Sequence, residues 1–272
     1  MIDGLDHVAV AVEDLDRAGA AFQALLGRPP HWREEAAGAR HAWFQLANTA
    51  IDVVQAEGPG ESGDRVRAQI AMHGEGLWGL AFAASNLEEM RRLLARRGAP
   101  TREPADLLST DAWKLSFLEP EASHGVPIAL AERVRPAAMP PGPFEAGEAY
   151  ALDHVVVRTP NPDRAIALYG ARLGLDFRLD RSNPEWGSRL LFFRCGDMIV
   201  EIAADPKAAP TEALDRLTGL AWRTGDPDVA RGRLAKAGFE VSDVRPGRKP
   251  GTRVFTVRSG VPGGPALMIA ED

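Results

Sequence analysis

The amino-acid sequence predicts an α+β protein built from similar β-α-β-β units arranged in two pairs, and two internal repeats support this prediction. Residues 5–27, LDHVAVAVEDLDRAGAAFQALLG, align at a constant offset with residues 152–174, LDHVVVRTPNPDRAIALYGARLG. Residues 79–98 align in the same way with residues 219–238. Each repeat runs from an alternating apolar strand into a helix followed by glycine, so it indicates a repeated supersecondary unit.

The first strand of unit one alternates, so its side chains divide between two faces. One face carries the valines, and the other carries Leu5, His7, Ala9 and Ala11. His154 occupies the same place in the third unit. Because the valines are expected to pack on the helices, both histidines are predicted to point away from the helices and into a cavity.

The remaining elements follow in the same order in every unit. Asp14, Asn86, Asn161 and Asp226 stand where a side chain can cap the N-terminus of a helix. Strand-like runs follow the helices at residues 41–47, 50–57, 112–119, 126–132, 189–195, 198–204, 252–258 and 266–271. Each unit has room for one further short strand. Gly196-Asp197 is a two-residue hairpin signal between two of these runs.

Proline- and glycine-rich stretches divide the chain. Residues 133–150 lack periodicity and predict a linker between an N-terminal domain, residues 1–132, and a C-terminal domain, residues 151–272. The shorter stretch EGPGESGD, residues 57–64, is interpreted as a connection between units one and two.

Composition argues against several classes of protein. A net charge of −6 without a basic stripe argues against a nucleic-acid binder. No apolar run approaches the ~20 residues of a membrane span, and the N-terminus lacks the features of a signal peptide. Cys195 is the only cysteine, so no intrachain disulfide forms. A cytoplasmic protein with no membrane partner is expected.

The segments LDHVAVAVEDLDRA, HGEGLWGLAF and FLEPEASHGVPIALAE resemble signature strands of the vicinal oxygen chelate superfamily, which includes glyoxalase I, extradiol dioxygenases, methylmalonyl-CoA epimerase and bleomycin-resistance proteins. The resemblance covers nearly the whole chain. It implies paired βαβββ modules that form two half-open barrels, each around a cavity.

The resemblance also implies half of a divalent metal site in each barrel. Members of the superfamily usually hold Fe, Zn or Mn between a histidine on the first strand and a carboxylate on the last strand of each unit. His7 and Asp52 match the first half of that pattern in the N-terminal barrel, and His154 and Glu201 match it in the C-terminal barrel.

The second half of each metal site is missing. Gly79 and Gly219 stand where a second histidine is most common, and Ala129 and Met268 stand where the last carboxylate is expected. Catalytic zinc sites typically use about three protein ligands. A metal at His154 and Glu201 would therefore need a substrate to complete its shell, and His41 is a further candidate ligand, although a structural role is favoured for it.

Chemistry without a metal is the favoured interpretation. A histidine hydrogen-bonded to a carboxylate is a ready acid or base near neutral pH. His154 with Glu201, and His7 with Asp52, are therefore predicted as catalytic pairs, and the C-terminal pair is the better match. The expected activity is that of a lyase, an isomerase or a dioxygenase-like enzyme.

Aromatic and cationic residues on or near the strands are candidates for substrate binding, because tryptophans suit an apolar pocket and arginine suits a substrate carboxylate or phosphate. They are Trp43, Trp78, Trp113, Trp186, Trp222 and Arg189. Ordinary core filling and a solvated sheet edge explain them equally well. The basic loop at residues 245–253 is a weaker candidate for contact with an anionic group.

Three hypotheses for function remain open. The first is an enzyme that acts on a small oxygenated organic molecule through a histidine and a carboxylate. The second is a non-catalytic protein that binds a small molecule, as resistance members of the superfamily do. The third is a metal-dependent dioxygenase or isomerase whose substrate completes the metal shell. The expected partners are a small-molecule ligand and a second copy of the chain in a homodimer.

Overall fold

The strands of the two sequence halves form two separate curled sheets in the computed structural model, which describes residues 1–105, 113–133, 142–183, 187–261 and 263–271. The described strands of the first half make a seven-stranded sheet, and those of the second half make an eight-stranded sheet. The predicted α+β class with paired modules is therefore confirmed. Residues 134–141 of the predicted linker and Trp186 lie outside the described residues, and the domain boundaries remain a prediction.

The N-terminal sheet has the strand order β2-β3-β4-β1-β5-β7-β6. Its strands are β1 (Ile2–Val12), β2 (Trp32–Ala36), β3 (Ala39–Gln45), β4 (Ala50–Ala56), β5 (Gly76–Ala84), β6 (Trp113–Phe117) and β7 (Ile128–Arg133). The helices of this half are α1 (Leu15–Leu26), α2 (Glu61–His73), α3 (Leu87–Arg96) and α4 (Pro120–Ser123).

The C-terminal sheet has the strand order β13-β14-β15-β12-β8-β11-β10-β9. Its strands are β8 (Ala149–Arg158), β9 (Asp176–Asn183), β10 (Ser188–Cys195), β11 (Met198–Ala204), β12 (Arg216–Thr224), β13 (Arg245–Pro246), β14 (Thr252–Val257) and β15 (Ala266–Glu271). The helices are α5 (Pro162–Ala165), which continues as a π-helical segment (Ile166–Arg172), and α6 (Pro227–Lys236).

The helix-capping residues and the hairpin turn predicted from the sequence are confirmed. The side chains of Asp14, Asn86, Asn161 and Asp226 each accept a backbone hydrogen bond at the start of a helix. Gly196 and Asp197 join β10 to β11, whose pairing ends at Cys195 and Met198. The further short strand is β2 in unit one, β9 in unit three and β13 in unit four.

The two sheets share one continuous apolar core. It contains Phe22 of α1, Leu94 of α3, Tyr169 of the π-helical segment and Leu234 of α6, together with the valines of β1 and β8. Burial of this apolar surface is the main favourable contribution to folding. These helices therefore lie on the core-facing side of each sheet, and the opposite, concave faces are left to form cavities.

An arginine from each half reaches the end of the first helix of the other half. The Arg233 guanidinium donates hydrogen bonds to the carbonyl oxygens of Ala24 and Leu25 at the end of α1. The Arg97 guanidinium donates to the carbonyl oxygen of Arg172 at the end of the π-helical segment, at 2.9 Å. The last carbonyl groups of a helix have no partner within the helix, so cations from the other half satisfy them.

Helix α2 covers the concave face of the N-terminal sheet. Residues 57–64 were interpreted as a connection between units one and two. This was wrong for residues 61–64, because helix α2 begins at Glu61. Val66 and Ile70 of α2 pack on Ala11 and Val54, on the side opposite to the shared core. In the C-terminal half the corresponding connection, described residues 205–215, contains no helix, so that concave face stays open.

A close contact of α2 with a hairpin turn leads to a test of this arrangement. A Cβ atom at Gly63 would lie 2.1 Å from the carbonyl oxygen of Gly38. Backbone must then move, so Gly63→Ala is expected to lower the free energy of unfolding by about 2 kcal/mol in urea denaturation. Gly232→Ala in α6, where a Cβ meets no atom within 4 Å, is the control and is expected to raise it by about 0.5–1 kcal/mol. Equal stability of the two variants would contradict the close packing of α2 against the turn at Gly38.

Candidate active site

A β-bulge places an aspartate beside a histidine in both sheets. In the pairing of β1 with β5, Leu5 lies opposite Phe82 and His7 opposite Ala81, so Asp6 is the extra residue. An extra residue of this kind re-aims the neighbouring side chains. The Nδ1 atom of His7 and the Oδ1 atom of Asp6 are consequently 2.8 Å apart, although neighbours on a regular strand would point to opposite faces.

The C-terminal sheet repeats the same geometry. Leu152 lies opposite Trp222 and His154 opposite Ala221, so Asp153 is the extra residue on β8. The Nδ1 atom of His154 lies 2.8 Å from the Oδ1 atom of Asp153. The repeated Asp-His dipeptide was the signal in the sequence for these pairs, but alternation alone does not reveal the bulge.

The bulge also corrects the predicted faces of β1. His7 lines the concave cavity, as predicted, but Leu5 belongs to the shared core with Val8 and Val10. Because the bulge shifts the alternation by one residue, Leu5 and His7 lie on opposite faces. His154 likewise lines the C-terminal cleft, while Leu152 belongs to the core.

Asp6 is the centre of a buried network. Besides His7, its carboxylate accepts hydrogen bonds from Trp113 Nε1 at 3.1 Å and Arg133 Nε at 2.6 Å. Burial alone would raise the pKa of Asp6, but the hydrogen bonds and charges of His7 and Arg133 outweigh burial and hold the pKa below its usual value. Asp6 is therefore a carboxylate in the folded protein, and a carboxylate only accepts hydrogen bonds. The Nδ1 atom of His7 is the donor.

Asp52 pairs with His41 rather than with His7. The Nδ1 atom of His41 lies 2.9 Å and 3.0 Å from the two carboxylate oxygens of Asp52. Burial acts to lower the pKa of His41, but the charge and hydrogen bond of Asp52 outweigh it and raise the pKa. In place of the predicted hydrogen bond between His7 and Asp52 there are two pairs, His7 with Asp6 and His41 with Asp52, and both histidines line the same cavity.

Stacked tryptophans fill much of the N-terminal half-barrel. The rings of Trp32, Trp43 and Trp113 contact one another, with centroids 5.1 Å, 5.3 Å and 5.9 Å apart and planes within 23° of parallel. His7 packs edge-on against Trp43 at 5.0 Å. Trp43 and Trp113 are therefore packed against other side chains. The space that remains is a cavity of about 60 Å³, which Trp78 lines.

The C-terminal cleft is larger, with a volume of about 890 Å³. His154 and Glu201 both line it, but the carboxylate that bonds His154 is Asp153 and not, as predicted, Glu201. Its apolar wall includes Phe192, Ile199 and Leu267. The cationic residues around it are Arg181, Arg245, Arg248 and Lys249, which include part of the basic loop.

The surroundings of Asp153 and Glu201, the two carboxyl groups near His154, shift their pKa values in opposite directions. Burial would raise the pKa of Asp153, but the hydrogen bonds and charges of His154 and Arg223 outweigh it and lower the pKa. Burial raises the pKa of Glu201, and nearby His154 and Arg248 offset only part of that effect. Asp153 thus holds the His154 ring as an ionised acceptor, while the environment of Glu201 favours its protonated form.

Three other predicted residues lie away from the C-terminal cleft. Trp222 is fully buried in the shared core. The guanidinium of Arg189 bonds to Asp180 on the neighbouring strand, at 2.7 Å and 3.0 Å. Met268 also points into the core, so the positions of β15 that face the cleft are Leu267, Ile269 and Glu271.

The chain belongs to the Glyoxalase/Bleomycin resistance protein/Dioxygenase superfamily, because the model of that family matches residues 6–111 and 153–256. The two matched segments correspond to the two halves of the internal repeat. No curated protein sequence matches the chain.

Solved structures with the same fold span nearly the whole chain. A mutant of 4-hydroxymandelate synthase from Streptomyces coelicolor is 14% identical, with a TM-score of 0.75 over 100% of this chain and 93% of that one. The Mn(II)-bound glyoxalase from Novosphingobium aromaticivorans is 17% identical, with a TM-score of 0.71 over 99% of this chain and 82% of that one. At such identities the likeness shows the fold alone.

The residues present do not make up the metal-ligand set that the resemblance implies. Within the described ranges no group of three or more histidine, cysteine, aspartate or glutamate side chains is placed to hold a metal ion. In the N-terminal cavity a Cβ atom at Gly79 would lie 2.9 Å from the carbonyl oxygen of Pro127, so a histidine there needs the backbone to move. His154 and Glu201 supply two donors, fewer than the roughly three of a catalytic zinc site.

Removal of the Asp6 charge tests the buried network. Asp6→Asn leaves Arg133 without its carboxylate, so it is expected to lower the free energy of unfolding by about 3 kcal/mol at neutral pH. Because the pKa of Asp6 is lower in the folded state, its contribution is present above the unfolded pKa of about 3.9 and is lost as pH falls through the folded value.

The measurement is urea denaturation of wild type and variant at neutral pH and near pH 3. The difference in stability between the two proteins is expected to shrink at the lower pH. A difference that stays constant with pH, or grows as pH falls, would contradict the ionised state of Asp6.

Proposed function

We propose that the C-terminal cleft is the active site of an enzyme that moves a proton on a small oxygenated organic molecule, as a lyase or isomerase does. One observation carries the proposal: the ring of His154, held by Asp153, shares an open cleft with Glu201, whose carboxyl group has a raised pKa. An oriented histidine beside a carboxyl group with a raised pKa supplies a base and an acid for proton transfer.

His154 is the proposed base. Asp153 accepts the Nδ1 proton, so the Nε2 atom of the neutral ring carries the lone pair. Arg223 Nε donates to the other oxygen of Asp153 at 3.1 Å and fixes that carboxylate. In the proposed step Nε2 takes a proton from a carbon next to a carbonyl group, and the electron pair of the broken C–H bond moves to the carbonyl oxygen.

Glu201 is the proposed acid. In its protonated form it donates a hydrogen bond to the oxygen on which negative charge develops, and it stabilises the enolate. The proton on His154 Nε2 then returns to carbon in an isomerisation, or protonates a leaving group in an elimination. The cations around the cleft favour a substrate that carries a carboxylate or phosphate group.

The N-terminal cavity is a poorer site for this chemistry. His7, one of the two histidines that line it, packs on Trp43, and the space in the cavity is about 60 Å³. The C-terminal cleft is more than ten times as large, at about 890 Å³. We therefore assign catalysis to the C-terminal half and treat His7 and Asp52 as parts of a packed structural network.

A non-catalytic binding protein is the second candidate. The apolar wall of Phe192, Ile199 and Leu267 favours it, because such a wall holds an organic ligand without any need for an acid and a base. In that case loss of the His154 ring changes affinity only.

Exchange of substrate hydrogen for deuterium discriminates the two candidates. Small oxo acids are incubated with the protein in D₂O, and NMR follows loss of the proton next to the carbonyl group. We expect wild type to catalyse exchange on at least one compound, His154→Ala to lose it by about 10²–10⁴-fold, and Glu201→Gln to slow it. His73→Ala, at an exposed histidine of α2, is the matched control and should exchange at the wild-type rate.

Three outcomes would overturn the enzyme proposal. One is unchanged exchange in His154→Ala. Another is saturable binding of a compound that wild type never exchanges, which supports the binding protein. The third is one tightly bound divalent ion per chain in metal analysis, with exchange lost when the ion is removed, which supports a metal-dependent enzyme.

A further inference from the structure

The N-terminal cavity contains polar atoms whose hydrogen-bonding capacity is unused. The Nε2 atom of His41 is buried and has no hydrogen-bond partner in the part of the chain that the structure describes. The His41 side chain is only 4% exposed, and the residue lines the cavity. Buried polar groups nearly always have a partner in a folded protein, so an orphaned ring nitrogen at a cavity wall indicates that something else contacts it.

Arg65 brings a positive charge to the same cavity from α2. Its Nη1 atom is buried without a hydrogen-bond partner among the described residues, and the nearest carboxylate, that of Glu61, is 3.8 Å away. The guanidinium lies over the ring of Phe117 at 3.5 Å. Burial lowers the pKa of Arg65 to about 10, and Glu61 offsets only part of that effect. Arg65 therefore remains charged at neutral pH in apolar surroundings, where a charge needs a counter-ion.

Small residues create the space next to these groups. Gly79 and Ala129 line the cavity at the positions where the superfamily resemblance implies metal ligands. Neither has a side chain that reaches far into it. Asp52 also lines the cavity, but His41 already engages both of its oxygens. Because Nδ1 of His41 engages Asp52, Nε2 donates only when the ring is protonated, the form that the raised pKa of His41 favours. The unused groups of Arg65 and of protonated His41 are then both donors, a combination that suits the carboxylate of an acidic ligand.

We propose that the cavity under α2 is a second binding site, separate from the C-terminal cleft, which takes a small organic carboxylate between Arg65 and His41. The planar guanidinium matches the geometry of a carboxylate. The remaining walls, which include Trp78, Phe117 and Leu115, take the short apolar part of the ligand.

The size of the cavity limits the ligand. A cavity needs a volume of about 10–15 Å³ to hold one water molecule. A volume of about 60 Å³ therefore admits a ligand of roughly four or five heavy atoms. Acetate and propanoate are within this size. Larger ring acids exceed it, whereas the C-terminal cleft has ample room for them.

Calorimetric titration with acetate, propanoate and the neutral analogue propanamide tests the site. Wild type is expected to bind propanoate saturably and propanamide much more weakly. Arg65→Met is expected to weaken propanoate binding by about tenfold or more, and His41→Gln to weaken it as well. The control is Arg67→Met on the same helix, where the exposed Arg67 bonds to Asp64, and it should bind like wild type.

Three further measurements keep the test independent of folding and of the C-terminal cleft. Since Glu61, at 3.8 Å, compensates the partly buried charge of Arg65 only in part, Arg65→Met should melt at or above the wild-type temperature. Propanoate should raise the melting temperature of wild type, Arg67→Met and His154→Ala but not that of Arg65→Met. Ala129→Leu, which fills the opposite wall without changing a charge, should also block binding. His154→Ala should leave propanoate binding unchanged.

The proposal is overturned if wild type shows no saturable binding of either acid. It is also overturned if propanoate binds equally to wild type, Arg65→Met and Ala129→Leu, or if binding is lost in His154→Ala instead, since the acid would then occupy the C-terminal cleft.

Discussion

The β-bulge at Asp6 and at Asp153 is the constraint on which the rest of the structure depends. It turns two neighbours in sequence into a hydrogen-bonded pair, with Nδ1 of each histidine 2.8 Å from a carboxylate oxygen. The same extra residue keeps Leu5 and the valines in the shared core while His7 reaches the concave face. One backbone irregularity therefore sets both the packing of the strand and the orientation of the imidazole.

The same motif has two different surroundings, and these separate the two halves. In the N-terminal half, α2 and the stacked rings of Trp32, Trp43 and Trp113 leave a space of about 60 Å³. In the C-terminal half no helix occupies the corresponding described residues 205–215, and the cleft reaches about 890 Å³. The internal repeat has thus kept the oriented histidine while the covering elements have diverged. This is why we place catalysis in one half and a small buried site in the other.

Sequence reasoning succeeds where the signal is local. Alternation, capping residues such as Asp14, and the internal repeat predict the strands, the helix starts and the superfamily fold. It fails where the answer depends on tertiary contacts. The bulge at Asp6 cannot be recognised from the hydrophobic alternation of the sequence. The pairing of Asp52 with His41 follows from the register of β3 against β4 and not from the distance between the two residues along the chain. Helix α2 was missed because its apolar side consists of little more than Val66 and Ile70, set in a glycine-rich stretch.

The central claim is that an ionised aspartate fixes the tautomer and direction of the histidine in each half. Long-range ¹H–¹⁵N NMR of the imidazole rings tests it most directly, with His154→Ala and His7→Ala to assign the signals. We expect neutral His154 to carry its proton on Nδ1, and Asp153→Asn to remove that preference. A neutral His154 protonated on Nε2, or one whose tautomer is unchanged by Asp153→Asn, would contradict the account.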